Sequence, residues 1–286
     1  MATYLSNPID GVLFTILAFF VGIASSMLGI GGGFITTPSL ILIGVEAGHA
    51  IGTVLFVIIF IALSSTIAYA RQKNTIEYRT GILVAFFTVI GAVIGSIISS
   101  HLATTSPEIF RVLFAICLLP IAVKMILFPK RRKEKSEIME EIEHDDVIWF
   151  GFERREILSS IFGLIAGGAS GLLGIGGGVV MVPILIHVGK ISVHKAIGTS
   201  MFIMIATSIA GAAIKIGGGQ IYLDLAIFLI LGIVIGAQIG PLFAKRIDTI
   251  LLQQIFGFIM IFALIIVAIG RDQLVTFIQG FFGVIF

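Results

Sequence analysis

Twice in 286 residues an apolar run long enough to enter a bilayer is broken by the same six residues. They are Leu28-Gly29-Ile30-Gly31-Gly32-Gly33 and Leu173-Gly174-Ile175-Gly176-Gly177-Gly178. The copies lie 145 residues apart, and a proline follows each at the same distance, Pro38 and Pro183. Glycine leaves the backbone unshielded and tolerates positive φ. At membrane depth such an unwound stretch must be buried in protein or line a wet cavity, because bare peptide groups are costly in lipid. Matching glycine breaks in two halves of a membrane chain point to the binding site of a transporter.

Lipid is the solvent the rest of the chain calls for. Hydrophobic residues make up 58% of it and charged residues 12%, against about 25% charged in a soluble domain. Apolar runs fall at 11–28, 34–45, 50–70, 80–100 and 108–128, and again at 157–172, 179–189, 196–214, 223–244 and 249–270. Runs of ~20 residues cross a ~30 Å hydrocarbon core as helices. The two runs after the glycines are too short to cross and read as half-helices. The fold class expected is therefore an all-α polytopic membrane protein: two inverted-topology repeats of about five transmembrane or re-entrant segments each, with glycine-broken helices.

Further matches join the halves. His49-Ala50-Ile51-Gly52-Thr53 resembles His194-Lys195-Ala196-Ile197-Gly198-Thr199, Ser25 pairs with Ser170, and Gly91–Gly95 resembles Gly232–Gly236. The expected organisation is an N-terminal membrane repeat (1–128), a charged cytoplasmic linker (129–156), an inverted C-terminal repeat (157–270) and an interfacial tail (271–286). With the N-terminus outside, Arg71, Lys73, Arg79, the basic start of the linker, Lys190, Lys195, Lys245 and Arg246 all fall on the cytoplasmic side. That follows the positive-inside rule, with Lys215 and Arg271 as outer exceptions beside Asp224 and Asp272, and the odd number of crossings per half turns the second repeat upside down. The N-terminus lacks the basic region of a cleaved signal, so residue 11 onward reads as a mature segment of a multi-pass cell-membrane protein.

The half-helices after Gly31–Gly33 and Gly176–Gly178 would aim peptide N–H groups and the positive ends of their dipoles at a shared pocket near mid-bilayer. Helix starts of this kind bind anions. The competing reading of the glycines is close helix packing. Neutral donors lie nearby: Ser25, Ser170, Thr53, Thr199 and Ser200, with the mirrored pair Thr53 and Thr199 favoured. The ordinary role of such hydroxyls is bonding to their own helix carbonyls. No Asp or Glu falls in the middle of a long apolar run, where a cation carrier would place one. Candidates for coupling or gating are His49, His194, Lys195, Arg71 and Lys215. Histidine titrates near neutral pH, while Arg71 and Lys215 either attract anions at the cavity mouths or snorkel to the interface.

Enzymatic chemistry is not expected. No His/Asp/Glu constellation lies at depth, the lone Cys117 reads as a packing residue, and His144 stands in a linker that reads as a solvated charge run. No metal or other cofactor is implied, and no nucleic-acid partner.

With its twin glycine motifs, Pro38, Pro183 and the two His-x-x-Gly-Thr-like elements, the chain resembles the sulfite exporter TauE/SafE family, also called the toluene sulfonate uptake permease family. The resemblance covers about residues 11–270. It implies a secondary carrier, and an exporter, of small sulfur-containing anions such as sulfite, sulfonates or sulfoacetate, with protons as the coupling ion and alternating access as the mechanism. An anion channel, or a sodium-coupled carrier of another small solute, are the alternatives; the oligomeric state is left open.

Overall fold

The computed structural model describes residues 8–72, 74–105, 147–149 and 152–244, with isolated positions between 116 and 127 and between 250 and 261. The apolar runs 108–128 and 249–270, most of the linker with His144, Cys117 and the tail 271–286 lie outside the described residues.

The first half comprises α1 (Pro8–Leu28), α2 (Gly33–Leu42), α3 (Ala47–Ala70) and α4 (Tyr78–Thr105). A two-stranded hairpin in the linker, β1 (Val147–Trp149) and β2 (Phe152–Glu153), precedes the second half. That half comprises α5 (Arg154–Leu173), α6 (Gly178–His187), α7 (Val193–Gly217) and α8 (Leu223–Phe243). Six of these helices, all but α2 and α6, are long and apolar enough to cross a membrane. The ten-residue α2 and α6 reach only ~15 Å at ~1.5 Å per residue, about half a bilayer. The strand pair and the first residues of α5 occupy the last part of the interval 129–156.

Contacts fix the direction of each helix. Gly52 and Leu55 of α3 lie against Lys215 and Gly211 of α7, and Tyr69 meets His194 edge-on. One series rises as the other falls, so α3 and α7 are antiparallel. Thr88, Ser96 and Ser99 of α4 meet Thr207, Gly211 and Lys215 of α7 in the same order, and Gly91 and Gly95 meet Leu164 and Gly168 of α5. Hence α4, α5 and α7 run one way. Thr53 and Ser64 of α3 and Gln72 just beyond it meet Tyr222, Val234 and Pro241, while Gly232 and Gly236 of α8 meet Thr15 and Phe19 of α1. Hence α1, α3 and α8 run the other way. The three long helices of the first half, α1, α3 and α4, are therefore opposed to their sequence counterparts α5, α7 and α8.

The interior is built on α3 and α7, with Ile51, Leu55, Ile58, Ile61, Met201 and Ile203 fully or almost fully buried. The outer helices turn large apolar side chains outward, among them Leu13 and Phe20 on α1, Phe86 on α4 and Ile235 on α8. In water an apolar exterior of this extent would be untenable; against hydrocarbon it is the expected surface. Small residues let the outer helices approach backbone to backbone, as at Gly91 and Gly95 on α5 or Gly232 and Gly236 on α1.

Candidate functional site

The two six-residue motifs end their helices in the same way. Gly32 (φ 77°) and Gly177 (φ 75°) occupy the left-handed region immediately before α2 and α6 and serve as their N-caps. An L side chain there costs roughly 1–2 kcal/mol. The cap carbonyls accept from Thr36 and Met181 N–H, and neither cap uses a side chain. Ile35 and Val180 N–H reach the same carbonyls, so the N–H groups of the first two residues of each half-helix are the ones left without an acceptor inside their own helix.

The motifs then cross. Gly33 rests on the carbonyl oxygen of Gly174 and the backbone of Ile175, and Gly178 rests on the carbonyl oxygen of Gly29 and the backbone of Ile30. A Cβ at either position would overlap those backbone atoms. Gly31 faces Met204 and Ile58, Gly176 faces Ile58 and Ile30, and all six motif residues on each side are buried. The carbonyls at the crossing are themselves tied down: Ser200 Oγ donates to Gly29 O at 2.7 Å and Thr37 Oγ to Gly174 O at 3.1 Å. The structure therefore brings Gly31–Gly33 and Gly176–Gly178 together at the centre of the bundle, with the starts of α2 and α6 on either side.

Two hydroxyls sit beside the caps with nothing to bind. A Cβ on Gly32 would lie 3.1 Å from Ser25 Oγ, and one on Gly177 would lie 3.6 Å from Ser170 Oγ. Ser25 and Ser170 are both fully buried, and neither hydroxyl has a hydrogen-bond partner among the described residues. A buried polar group left unpaired costs about 1–3 kcal/mol. The cost occurs twice, at repeat-related positions, next to the starts of the two half-helices.

Thr53 and Thr199 are placed elsewhere. Thr53 Oγ1 accepts from Tyr222 N–H at 3.0 Å, and Thr199 Oγ1 from Glu77 N–H at 2.9 Å. Each hydroxyl thereby fastens the residue just before α8 or α4 to a helix of the opposite half. Ser200 is likewise engaged, on Gly29. Replacing Thr199 with Val is expected to lower the unfolding midpoint in detergent, by the equivalent of about 1 kcal/mol, and to leave anion affinity unchanged. A changed affinity with an unchanged midpoint would return Thr199 to the site.

The gating candidates separate into two ends. At one, His49 stacks on Tyr222 (4.7 Å between centroids) and faces the Glu46 carboxylate at 3.3 Å. At the other, His194 lies edge-on to Tyr69 and within 3.3 Å of Gln72 Oε1, Lys195 Nζ pairs with Glu77 at 2.7 Å, and Arg79 approaches Glu156 at 3.9 Å. Arg71 is exposed at this second end. Lys215 corrects the expectation made for it: its side chain neither snorkels nor stands open at a mouth but is wholly buried among polar partners. Counting from the Gly52/Gly198 and Thr53/Thr199 matches, its counterpart in the first half is Tyr69. The sequence reading missed Tyr69, whose hydroxyl donates to Ser26 O at 2.8 Å. The spacing of those matched residues was the signal for it.

The family model described as "Sulfite exporter TauE/SafE" matches residues 14–267. Among curated proteins, the "Probable membrane transporter protein YunE" of Bacillus subtilis is 29% identical over 261 residues, which cover 87% of this chain and 94% of that protein. A "Probable membrane transporter protein" of Methanocaldococcus jannaschii is 28% identical over 274 residues, covering 88% of this chain and 95% of the relative. One from Xylella fastidiosa (strain Temecula1) is 29% identical over 245 residues, or 84% and 88%. No solved structure matches.

Proposed function

Because the chain belongs to the sulfite exporter TauE/SafE family, a family of membrane transporters and not of enzymes, we propose that it exports small sulfur-containing oxyanions by alternating access. The substrate class comprises sulfite, sulfonates and sulfoacetate. The anion binds between the start of α2 with Ser25 and the start of α6 with Ser170, where every donor is neutral and rigidly held. The observation that carries this reading is the pair of orphaned, buried hydroxyls beside the left-handed caps Gly32 and Gly177. An oxyanion supplies the acceptor that both hydroxyls lack, and it sits at two helix starts whose dipoles favour negative charge.

The opposed directions of the matched helices support an inverted repeat, whose halves exchange roles as access switches from one face to the other. The enclosed motifs fit an occluded step of such a cycle. Lys195, Arg79 and the start of α5 share one end of the bundle and the N-terminus of α1 lies at the other, which suits a cytoplasmic linker and an outer N-terminus in the cell membrane. His49 and His194, one at each end against a tyrosine ring, are the proposed proton-responsive groups.

Flux from proteoliposomes tests this directly. Efflux of sulfite or sulfoacetate should saturate with concentration and accelerate when a pH gradient is imposed. Flux that ignores the pH gradient but needs sodium would overturn proton coupling. Single-channel currents carried by the same anions would replace the carrier with a pore.

A further inference from the structure

Among the described residues, Lys215 is the only lysine or arginine that is fully buried. Its side chain has no exposure at all although it stands in the last turn of α7. Nζ donates to Ser99 Oγ and Ser100 Oγ, each at 3.1 Å, and to Gln220 Oε1 at 3.0 Å. No carboxylate pairs with it among the described residues; the acidic groups that form ion pairs there face His49, Arg79 and Lys195. Burying an ammonium without a counter-charge is expensive.

The same chain shows that this position needs no charge to hold the bundle together. Tyr69, the counterpart of Lys215, closes the opposite end with a neutral phenol on the Ser26 carbonyl. A plain structural tie is therefore available without a cation, and the cation calls for another account.

We propose that Lys215, Ser99, Ser100 and Gln220 form an anion-docking station at the α7–α8 end of the bundle, taking a small oxyanion of the sulfite or sulfate type. The groups are suited to switch. Each serine hydroxyl now accepts from the ammonium, and Ser100 Oγ also lies within donating distance of Ser96 O at 3.0 Å and Gln220 Oε1 at 3.1 Å; rotation about the C–O bonds turns the hydrogens toward an incoming oxygen, in Ser100 by exchange for one of these acceptors. The Gln220 carboxamide, turned about its last bond, presents N–H where its oxygen now lies. One ammonium and three neutral donors then converge on a ligand of a few heavy atoms, and the buried charge acquires its counter-ion. Eleven residues separate Lys215 from Met204, whose sulfur meets Gly31. That is ~16 Å along α7, so the station is distinct from the crossing of the glycine motifs. It serves one end of the protein only, since Tyr69 offers no charge at the other. It does not depend on the carrier cycle proposed above.

The test uses the purified full chain in detergent at constant ionic strength, following the unfolding midpoint as sulfite or sulfate replaces chloride. A ligand of the folded state raises the midpoint with concentration. Wild type should respond, and Lys215→Gln should need about tenfold more anion for the same rise, the loss expected for one charge-assisted hydrogen bond. The Ser99→Ala/Ser100→Ala double variant should shift in the same direction, and Lys215→Arg should respond like wild type. If Lys215→Gln does not fold, the arginine and double-serine variants carry the comparison. Lys215→Gln responding at wild-type concentrations, even from a lower starting midpoint, would make Lys215 a structural tie and end the proposal. So would a wild-type protein indifferent to both anions. Saturable sulfite flux measured separately stands or falls without this station, so either reading can fail alone.

Discussion

Alanine at Gly33 or at Gly178 is expected to prevent the protein from folding, with expression lost or the product aggregated on size-exclusion chromatography. Neither glycine is needed for its φ, since the backbone there is already helical. The obstacle is the other motif. A methyl group on Gly33 would overlap the Gly174 carbonyl oxygen, and one on Gly178 would overlap the Gly29 carbonyl oxygen. Those oxygens cannot withdraw, because Thr37 and Ser200 hold them by hydrogen bonds and the motifs' backbones are fixed by the helices they join. Overpacking a core typically costs 1–3 kcal/mol when side chains can give; here backbone meets backbone, and the cost rises toward total stability, roughly 5–15 kcal/mol. Gly217→Ala is the matched control. It lies at the end of α7 with nothing within 4 Å of the added carbon, and alanine there should be neutral or stabilising by up to about 1 kcal/mol. Well-folded Gly33→Ala and Gly178→Ala proteins would mean that the motifs do not cross as described.

The helix before each motif limits what the caps will accept. Gly32 has Val21 and Ser25 only 3.0–3.1 Å from an added Cβ, whereas Gly177 has 3.3 Å to its nearest neighbour. Alanine is thus the largest residue with a prospect of leaving the fold intact, and Gly177 the better position for it.

Where the described helices fall was legible from the residues. The repeated LGIGGG, the prolines five residues on and the spacing of apolar runs located six long helices and two half-helices to within a few residues, because period, length and glycine are local properties. The family was legible for the same reason. The partners of individual hydroxyls were not. Thr53 and Thr199 look like pocket residues because they are mirrored, yet mirrored residues also make mirrored structural contacts, and each fastens the residue before a helix of the opposite half. Ser200 and Thr37 are not sequence counterparts but perform the same task on Gly29 and Gly174; only the crossing makes them equivalent. Lys215 was read from the hydropathy of its helix end, which says where a lysine could reach water but not that Ser99, Ser100 and Gln220 would enclose it. Ser25 and Ser170 were named from their place before the glycines, and what distinguishes them, the absence of a partner, is a property of three-dimensional packing.

Ser25→Ala combined with Ser170→Ala is expected to remove transport while leaving the protein as stable as before, or more so. The sign of the stability change is the informative part. A hydroxyl that holds structure lowers the unfolding midpoint when removed, as Ser200→Ala should, by about 1 kcal/mol for its bond to Gly29. Ser25 and Ser170 have no bond to lose, and deleting a buried, unsatisfied polar atom relieves its desolvation cost. If the hydroxyls exist to meet an oxyanion, each contributes about 1.5–3 kcal/mol to the bound state, so the double variant should bind sulfite on the order of a hundredfold or more weakly. Flux in proteoliposomes should fall accordingly, since the pair acts on the same ligand from the two repeats. The opposite pattern, a lowered midpoint with undiminished flux, would make the two serines part of the scaffold and move the substrate away from the half-helix starts. The single variants refine the result: if the repeats contribute equally, as their matched geometry at Gly32 and Gly177 requires, Ser25→Ala and Ser170→Ala should weaken binding by comparable factors even where they differ in which face of the membrane the change is felt.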